Sequence, residues 1–356
     1  MKNAYLIITD LHKIIASKSH RLDYVKEIES IEKDIFKVAD KYKGLGYNVI
    51  ALSLGDLVDR SVSSVDAGLK IYSWFTTYLK HFSKFYSVVG NHEFTYYSAN
   101  PFWYLMRTLE SERIKTVRRR TGWQPKGYTQ FIHVVDSLID GEVEFIFNHH
   151  GTGIQTPSND KISIGLFHQD IVFREILDDA KNKNLPIFEL EEDVMKGKYN
   201  HVYLSDKCDY LRGYDHCFFG HNHSLYGRWQ DEKLDLWYLG SLGRTKETEV
   251  NDNFLERDLP VVIVEDGKFK EIESNKIELP PREKVIDIKS LEKSKMKKEL
   301  KTMKKVDVDN LLSKTPVTMA LEVLVEDRFA NYIVESILKD NEDELITYFR
   351  NSLGGE

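Results

Sequence analysis

The sequence has few cysteines and no long apolar run. Only two cysteines, Cys208 and Cys217, occur among 356 residues, which argues against a disulfide scaffold and favours buried thiols in a reducing cytoplasm. No stretch reaches the ~18 consecutive apolar residues that a membrane helix needs, so no membrane association is expected. The first apolar run ends at Asp10, too soon for the core of a secretion signal, and a cytoplasmic protein is expected.

A strong excess of charge of one sign is also missing. The formal net charge is −7, with 30% charged and 41% hydrophobic residues, close to the average of soluble globular proteins. This balance argues against a protein whose whole surface binds polyanions, yet it is compatible with a local basic groove or with bound divalent cations. The length allows one large domain with a small appendage or two domains of ordinary size.

Apolar runs of strand type alternate with helix-patterned segments in the first part of the chain. Apolar residues at helical spacing predict helices over Leu22–Tyr42 and Ser64–Phe82. This alternation predicts an α/β fold in which strands of a sheet are covered by helices. The strand-type runs are "AYLIIT", "NVIALSL", "KFYSVV", "VEFIFN", "KISIGLF" and "HCFFG".

Further elements are predicted beyond these runs. Helices are expected from Pro101 to about Ile114 and from Gln169 to Lys183, and "VRRRTGWQPKG" is expected to be a basic turn. The segments "FIHVVDS" and "EVEFIFN" predict a β-hairpin. "LPVVIVEDGKF" and "EKVIDI" predict closing strands.

A change in composition predicts a boundary near residues 280–290. Lysines crowd the segment Lys284–Lys305, and the rest of the chain has helical spacing of apolar residues without a cluster of catalytic type. We therefore predict a catalytic domain over 1–258, a capping segment of closing strands over 259–285 and a helical region over 286–356 that could dock a partner.

Polar side chains collect where the apolar runs end. Asp10 and His12 follow the first run, Asp56 the second, and Asn91 and His92 the third, while two later runs end in histidines. Loops at the carboxyl ends of strands in open α/β sheets gather on one rim. Carboxylate oxygens and imidazole nitrogens are ligands for Mn²⁺, Zn²⁺ or Fe²⁺. A bridging aspartate would hold two ions ~3.5–4 Å apart, an arrangement used for in-line attack on phosphorus.

These motifs resemble those of the calcineurin-like metallophosphoesterases, in the same order. The motifs are Asp10-x-His12, Gly55-Asp56-x-x-Asp59-Arg60, Gly90-Asn91-His92-Glu93 and Gly220-His221-x-His223. The resemblance covers about residues 4 to 245 and implies a four-layer αββα sandwich with two divalent ions. It implies one ion held by Asp10, His12, Asp56 and His223, and another held by Asp56, Asn91, His221 and one more histidine. It also implies that His92 stabilises the phosphate and donates a proton to the leaving oxygen.

The remaining histidine ligand has three candidates. "FIFNHHGTG" offers His149 and His150, and "ISIGLFHQD" offers His168. We favour His168 over His149, with His150 third. His168 ends a strand that is expected to enter a helix directly, and it lies nearer to His221 in the sequence. "LFHQ" also resembles the strand-end histidine of the repair-nuclease branch of the family.

The motifs leave more than one substrate class open. "GDLVDR" and "GNHE" also resemble protein serine/threonine phosphatases, and a small cyclic-nucleotide phosphodiesterase is a further alternative. Against the phosphatase, Lys13 replaces the expected glycine, the interval from Asp10 to Asp56 is long, and no arginine-rich phosphate clamp is recognisable. In favour of a nuclease, "WYLGSLGRT" (Trp237–Thr245) resembles the segment that follows the last metal motif in SbcD-type nucleases.

The SbcD-type resemblance implies a DNA exo/endonuclease of repair or recombination. Mn²⁺ is the expected metal, with Zn²⁺, Fe²⁺ and Mg²⁺ as alternatives. The implied partners are DNA, an SbcC-like SMC-type ATPase and a second copy of the chain. Ser241, in a Gly-Ser turn, and Arg119, in "VRRRTGWQPKGY", are the candidate substrate-binding residues. An inactive regulatory or scaffold subunit of an ATPase complex is an alternative, which the complete set of expected ligands disfavours.

Overall fold

The computed structural model describes residues 1–13, 24–59, 65–94, 114–119, 122–128, 132–158, 160–169, 171–173, 203–205, 211, 213–223, 226–230, 232–244, 255–287 and 294. The chain divides into two compact units. One comprises Met1–Lys18 and Asp23–Arg282, and the other comprises Ser19–Leu22 and Glu283–Glu356. The domain boundaries expected at residues 258 and 285 stay predictions. Among the described residues, no helix is long and apolar enough to cross a membrane.

The described part of the chain contains more strands than helices. The strands are β1 (Lys2–Ile8), β2 (Asn48–Ser53), β3 (Lys84–Ser87), β4 (Ile114–Arg119), β5 (Gly122–Tyr128), β6 (His133–Val134), β7 (Ser137–Asp140), β8 (Val143–Asn148), β9 (Ile162–Phe167), β10 (Ile171–Phe173), β11 (Tyr203–Ser205), β12 (His216–Phe219), β13 (Tyr226–Gln230), β14 (Asp235–Leu239), β15 (Glu256–Glu265) and β16 (Lys268–Glu278). The helices are α1 (Tyr24–Gly44), α2 (Val65–His81), α3 (Asn91–Phe94) and α4 (Arg282–Val285).

Two large sheets carry the fold. An eight-stranded sheet has the order β16-β15-β1-β2-β3-β6-β5-β4, and a six-stranded sheet has the order β13-β14-β12-β9-β8-β7. In the first sheet β1, β2 and β3 are parallel neighbours. In the second, β8, β9, β12 and β14 are parallel neighbours. β10 and β11 form a separate parallel pair.

The side-chain pattern of β1 explains how the layers pack. Ala4, Leu6 and Ile8 lie in one buried cluster with the apolar face of α1, which includes Ile28 and Ile35. The alternate residues of β1 instead share a second cluster with the six-stranded sheet. Its members include Tyr5, Ile7, Phe145, Phe147, Leu166, Phe218 and Trp237. Because successive side chains of a strand point to opposite faces, β1 is buried between a helical layer and another sheet. The predicted α/β sandwich is confirmed.

Several local predictions are correct and others are wrong. Helices α1 and α2 lie where apolar spacing predicted them, and "EVEFIFN" supplies β8 of a hairpin. Its predicted partner "FIHVVDS" is wrong, because β8 pairs with β7 (Ser137–Asp140) and His133–Val134 forms β6 in the other sheet. The expected basic turn is wrong, because β4 and β5 pair as antiparallel strands with Arg118 opposite Trp123. The helix predicted up to Ile114 lies outside the described residues, apart from Ile114 itself, which begins β4.

Two further segments also depart from their predicted structure. Ile171–Phe173 forms β10, although a helix was predicted from Gln169, and its β-branched and aromatic residues suit a strand. "EKVIDI" was predicted as a strand, but α4 begins at Arg282, directly after Pro280 and Pro281. Proline lacks the N–H that a sheet ladder needs and is favoured at the beginning of a helix, which explains the difference.

Candidate metal centre

The polar side chains expected at strand ends meet at one rim of the two sheets. Asp10 and His12 follow β1, Asp56 follows β2, and Asn91 follows β3. These three strands are parallel, so their carboxyl ends lie side by side. In the other sheet His168 follows β9, and the His221–His223 turn follows the parallel neighbour β12. Parallel pairing within each sheet therefore gathers residues that are far apart in the sequence.

The backbone of this rim is unusually strained. Among the described residues, five non-glycine residues have a positive φ: Asp10 (38°), His12 (46°), Asp56 (49°), His221 (75°) and Asp266 (52°). The first four belong to the predicted ligand set. A left-handed conformation costs a non-glycine residue roughly 1–2 kcal/mol and persists only where the surroundings impose it. Four such residues at one rim indicate a site built for function.

One group of side chains surrounds the end of β1. Asp10, His12, Asp56 and His223 place ligand atoms within 4.8 Å of one another. The Nε2 atoms of His12 and His223 are 2.8 Å apart, and His223 Nε2 lies 3.5 Å from Asp10 Oδ1. Ligands bound at about 2.0–2.2 Å to one ion lie about 3–4 Å from each other. The spacing of this group fits one divalent ion.

A second group lies against the first and shares Asp56 with it. Asp56, His168 and His221 also place ligand atoms within 4.8 Å of one another. His168 Nε2 is 3.4 Å from Asp56 Oδ2 and 2.9 Å from Asn91 Oδ1. Asp56 Oδ2 also lies 3.8 Å from His12 Nε2 in the first group. The structure thus assembles the two sets that the family resemblance implies, with Asp56 between them. The role of these residues as ligands stays a prediction.

The electrostatics of the groups also fit cations. Burial alone would raise the pKa of Asp10, but its interaction with the His223 imidazole and the charge of His168 lower this pKa to about 2. Burial likewise opposes ionisation of Asp56, yet His168 and His12 hold its pKa well below the usual value. Burial alone would lower the pKa of His168, but the negative charge of Asp56 outweighs the effect of burial and raises this pKa to about 9. Two buried carboxylates therefore draw positive charge to this rim.

One carboxylate oxygen points into the site without a conventional partner. Asp10 Oδ2 accepts hydrogen bonds from the Thr9 hydroxyl and from the N–H of His221. Asp10 Oδ1 is buried and has no hydrogen-bond partner among the described residues, while it faces the imidazoles of His12 and His223. A buried carboxylate oxygen is costly unless it is hydrogen-bonded or binds a metal. The donor set therefore fits a divalent ion.

Glu93 connects the loop of Asp56 to the loop of Asn91. Its buried carboxylate accepts hydrogen bonds from the N–H groups of Asp56 (2.9 Å), Leu57 (2.7 Å), Val58 (3.3 Å) and Gly90 (3.1 Å). Burial and then the charge of Asp56 raise the pKa of Glu93 to about 8. Sequence reasoning gave Glu93 no role, although its fixed place after Asn91 and His92 was a usable signal. It holds the backbone that aims Asp56.

We predict that Glu93→Gln weakens metal binding. The amide keeps the size of the side chain but turns an NH₂ group toward backbone N–H donors, so the Asp56 loop loses part of its support. Residues that orient ligands typically change metal affinity by about 10–100-fold. Titration calorimetry with Mn²⁺ measures the loss. Glu144→Gln is the matched control, because Glu144 is also buried but accepts the N–H of Ser158 at the other end of β8. Unchanged Mn²⁺ affinity in Glu93→Gln would contradict the prediction.

His92 lies at the edge of the first group. Its backbone N–H donates to Asp56 Oδ1 at 2.9 Å, and its Nε2 is 3.9 Å from Asp56 Oδ2. The ring centroid lies 4.6 Å from that of His12, and the side chain is 16% exposed. His92, His12 and Asp59 also place ligand atoms within 4.8 Å of one another. His92 therefore lies beside the shared aspartate and is partly exposed, as a proton donor to a substrate needs to be.

The structure distinguishes the histidines that the sequence left open. His168 Nε2 lies in the second group, as favoured. His149 does not, because its Nδ1 accepts the N–H of Val89 at 3.0 Å and its Nε2 is 3.1 Å from the carbonyl oxygen of Val135. His149 therefore connects the loops after β3 and β6. His150 belongs to neither ligand group among the described residues.

The two candidate substrate-binding residues have different outcomes. Ser241 is 1% exposed, and its hydroxyl lies within hydrogen-bond distance of the carbonyl oxygens of Asp10 (3.1 Å) and Gly243 (2.9 Å). The expected contact of this hydroxyl with substrate stays a prediction, while in the structure the Gly-Ser turn supports the Asp10 loop. The reason is the close approach of Gly243, whose N–H also donates to the Asp10 carbonyl. Arg119 lies in β4, and its side chain is outside the described structure.

Comparisons with known proteins identify one family for most of the chain. The family described as calcineurin-like phosphoesterase matches residues 4–225. No curated protein sequence matches the chain. Among solved structures, a dimetal phosphatase from Danio rerio is 10% identical, with coverage of 78% of this chain and 99% of that chain and a TM-score of 0.39.

Two nucleotidase structures are similar over part of their length. A 5'-nucleotidase precursor from Thermus thermophilus is 11% identical, with 82% of this chain and 57% of that chain covered and a TM-score of 0.36. The NAD nucleotidase from Haemophilus influenzae is 14% identical, with 85% and 56% covered and a TM-score of 0.33. The chain thus spans little more than half the length of these two proteins.

Proposed function

The chain belongs to the calcineurin-like phosphoesterase family, and we propose that it is a metal-dependent DNA phosphodiesterase of the SbcD type. The family is a hydrolase family with a dinuclear metal centre, and the chain has the matching Asp/His cluster. The observation that carries hydrolysis of a phosphoester is the pair of ligand groups that share Asp56. A shared carboxylate between two such groups is the geometry of two-metal phosphoryl chemistry.

Two segments whose sequences resemble the nuclease branch support the nuclease, and both contribute residues to the candidate centre. His168, whose "LFHQ" context resembles the repair-nuclease branch, lies in the second group. The segment Trp237–Thr245, which resembles the SbcD-type motif, reaches the site through Ser241 and Gly243, both bonded to the Asp10 carbonyl. One of these nuclease-like segments therefore supplies a candidate ligand, and the other supports the loop of Asp10.

The residues of the chain have distinct tasks in this proposal. Asp10, His12, Asp56 and His223 would hold one ion, and Asp56, Asn91, His168 and His221 would hold the other. We propose Mn²⁺, with Zn²⁺, Fe²⁺ and Mg²⁺ as alternatives. When bound, two such ions supply Lewis acidity toward the phosphoryl oxygens and make water a stronger nucleophile at neutral pH. His92 donates a proton from its imidazole to the leaving oxygen, and Glu93 keeps Asp56 in place.

The partners follow from the proposed branch of the family. DNA would be the substrate, and the β4–β5 hairpin with Arg119 is the proposed contact to its backbone. An SbcC-like SMC-type ATPase would dock on residues 286–356, of which only 286, 287 and 294 are described, and a second copy of the chain would complete a homodimer. We place the protein in the cytoplasm because its sequence has few cysteines.

A comparison of three substrates tests the function. Purified protein with Mn²⁺ is expected to degrade linear DNA, and EDTA is expected to stop the reaction until Mn²⁺ is restored. A phosphopeptide and a cyclic dinucleotide are assayed under identical conditions. Turnover of the phosphopeptide alone would replace the nuclease by a protein phosphatase, and turnover of the cyclic dinucleotide alone would favour the cyclic-nucleotide phosphodiesterase. Protein that binds two ions and hydrolyses none of the three would favour the scaffold subunit.

A further inference from the structure

β8 leads into two consecutive histidines with different surroundings. His149 is 3% exposed, and both of its ring nitrogens face main-chain groups, those of Val89 and Val135. Since Nδ1 accepts the Val89 N–H, the ring donates from Nε2 to the Val135 carbonyl and is neutral. His149 therefore connects the loops after β3 and β6.

His150 lies beside the second ligand group. Its backbone N–H donates to the Val89 carbonyl at 2.9 Å, which fixes the main chain at this point. Its ring centroid is 5.3 Å from that of His221 and 6.0 Å from that of His168, and the residue is partly exposed. Among the described residues, its ring nitrogens fall in none of the clusters that could hold an ion. His150 is therefore an imidazole next to the predicted ligands without being one of them.

Each of the two ligand groups therefore has one further imidazole beside it. His92 lies beside His12 of the first group, and His150 lies beside His221 of the second. A phosphate that contacts both groups carries negative oxygens toward each of them, and an imidazole N–H is a suitable donor to such an oxygen. A donor fixed in advance by its main chain loses little freedom when it binds.

We propose that His150 is a substrate-binding residue that donates a hydrogen bond to a phosphate oxygen on the side of His168 and His221. The inference rests on the proposed hydrolysis of a phosphoester at this centre, and it does not require that the substrate be DNA. His150 then complements His92: one imidazole gives a proton to the leaving oxygen, and the other holds a phosphate oxygen that does not leave.

Two variants with opposite donor properties test this proposal. His150→Phe keeps a ring of similar volume without an N–H donor, and His150→Gln keeps a donor. Binding of inorganic phosphate to the Mn²⁺-loaded full chain is measured by calorimetry, and the ions are counted by elemental analysis. We expect two ions in both variants, phosphate affinity lower on the order of tenfold for His150→Phe, and affinity within about threefold of the native value for His150→Gln. His81→Gln, at the last residue of α2, is the control.

The remaining outcomes separate this proposal from its alternatives. Loss of an ion in His150→Phe would make His150 a ligand and overturn the proposal, and so would phosphate affinity unchanged in both variants. If His150→Phe and His150→Gln lost the same amount of thermal stability and the same amount of phosphate affinity, His150 would have a structural role. That result would also overturn the proposal. The phosphate-binding test uses no nucleic acid. If the two variants differ in phosphate affinity as expected but the native protein does not cleave DNA, only the proposed nuclease function is contradicted.

Discussion

Asp56→Asn is expected to empty both metal sites and to lower hydrolysis by a factor on the order of 10³–10⁴ or more. Asp56 is shared by the two ligand groups, and its Oδ2 lies 3.8 Å from His12 Nε2 and 3.4 Å from His168 Nε2. An amide of the same shape cannot supply the negative charge that two cations need. Lewis-acid stabilisation by metal ions is worth several kcal/mol, and about 1.4 kcal/mol corresponds to tenfold in rate.

The measurement is a metal count together with an activity assay. Elemental analysis after dialysis is expected to find two ions per chain in the native protein and fewer than one in Asp56→Asn. Asp235→Asn is a matched control. Asp235 is equally buried and accepts hydrogen bonds from Arg228 and Trp237, but it begins β14, at the far end of that strand from Ser241. This variant should lose stability and keep both ions. Two ions retained by Asp56→Asn would contradict the bridging role.

The meeting of the candidate ligands at one rim could be predicted because it depends on local signals. Asp10, Asp56 and His221 each follow a short apolar run, and parallel strands bring such positions to a common rim. The order of the motifs, through the family resemblance, predicted their division into two groups that share Asp56. The same reasoning ranked His149 above His150, but the structure places the His149 ring between Val89 and Val135 and the His150 ring beside His221. Val89 and Val135 belong to other strand ends, so no local signal shows which ring they contact.

The role of the segment after β14 also required tertiary structure. Sequence resemblance placed Ser241 near a phosphate, but its hydroxyl and the N–H of Gly243 both meet the carbonyl of Asp10. A Cβ at Gly243 would lie 1.9 Å from the Leu11 carbonyl oxygen, so only glycine allows this approach. The next residue, Arg244, connects the same segment to α1, because its guanidinium donates a hydrogen bond to the Glu27 carboxylate at 2.8 Å. The segment therefore holds the strained Asp10 loop against the helical layer.

The β4–β5 hairpin was missed because local composition is a poor guide there. "VRRRTGWQPKG" is dominated by charged and turn-forming residues, which are typical of an exposed loop. It becomes a strand pair because β6 continues the sheet beyond β3 through the single pairing of Tyr86 with His133, and β5 then pairs with β6. Pairing between distant segments, which no local pattern encodes, decides such a strand.

His92→Ala is expected to retain both ions and to lower DNA hydrolysis by a factor on the order of 10²–10⁴, the usual contribution of a general acid. The side chain lies beside the shared aspartate, with Nε2 3.9 Å from Asp56 Oδ2, and it is partly exposed. Asp56 stays held in His92→Ala, because the bond to its Oδ1 comes from the backbone N–H of residue 92. Loss of the imidazole therefore removes proton donation without removing a ligand.

A change of leaving group isolates this proton donation. A nitrophenyl phosphodiester releases an oxygen that needs little protonation, so His92→Ala should lose at most about tenfold on this substrate while it loses far more on DNA. His216→Ala is the matched control, because His216 also faces a buried aspartate, with Nδ1 3.0 Å from Asp235 Oδ2, and it lies at the start of β12. It should leave both rates unchanged. An ion lost from His92→Ala would make His92 a ligand. Equal losses on both substrates would mean that it binds the phosphate without donating the proton.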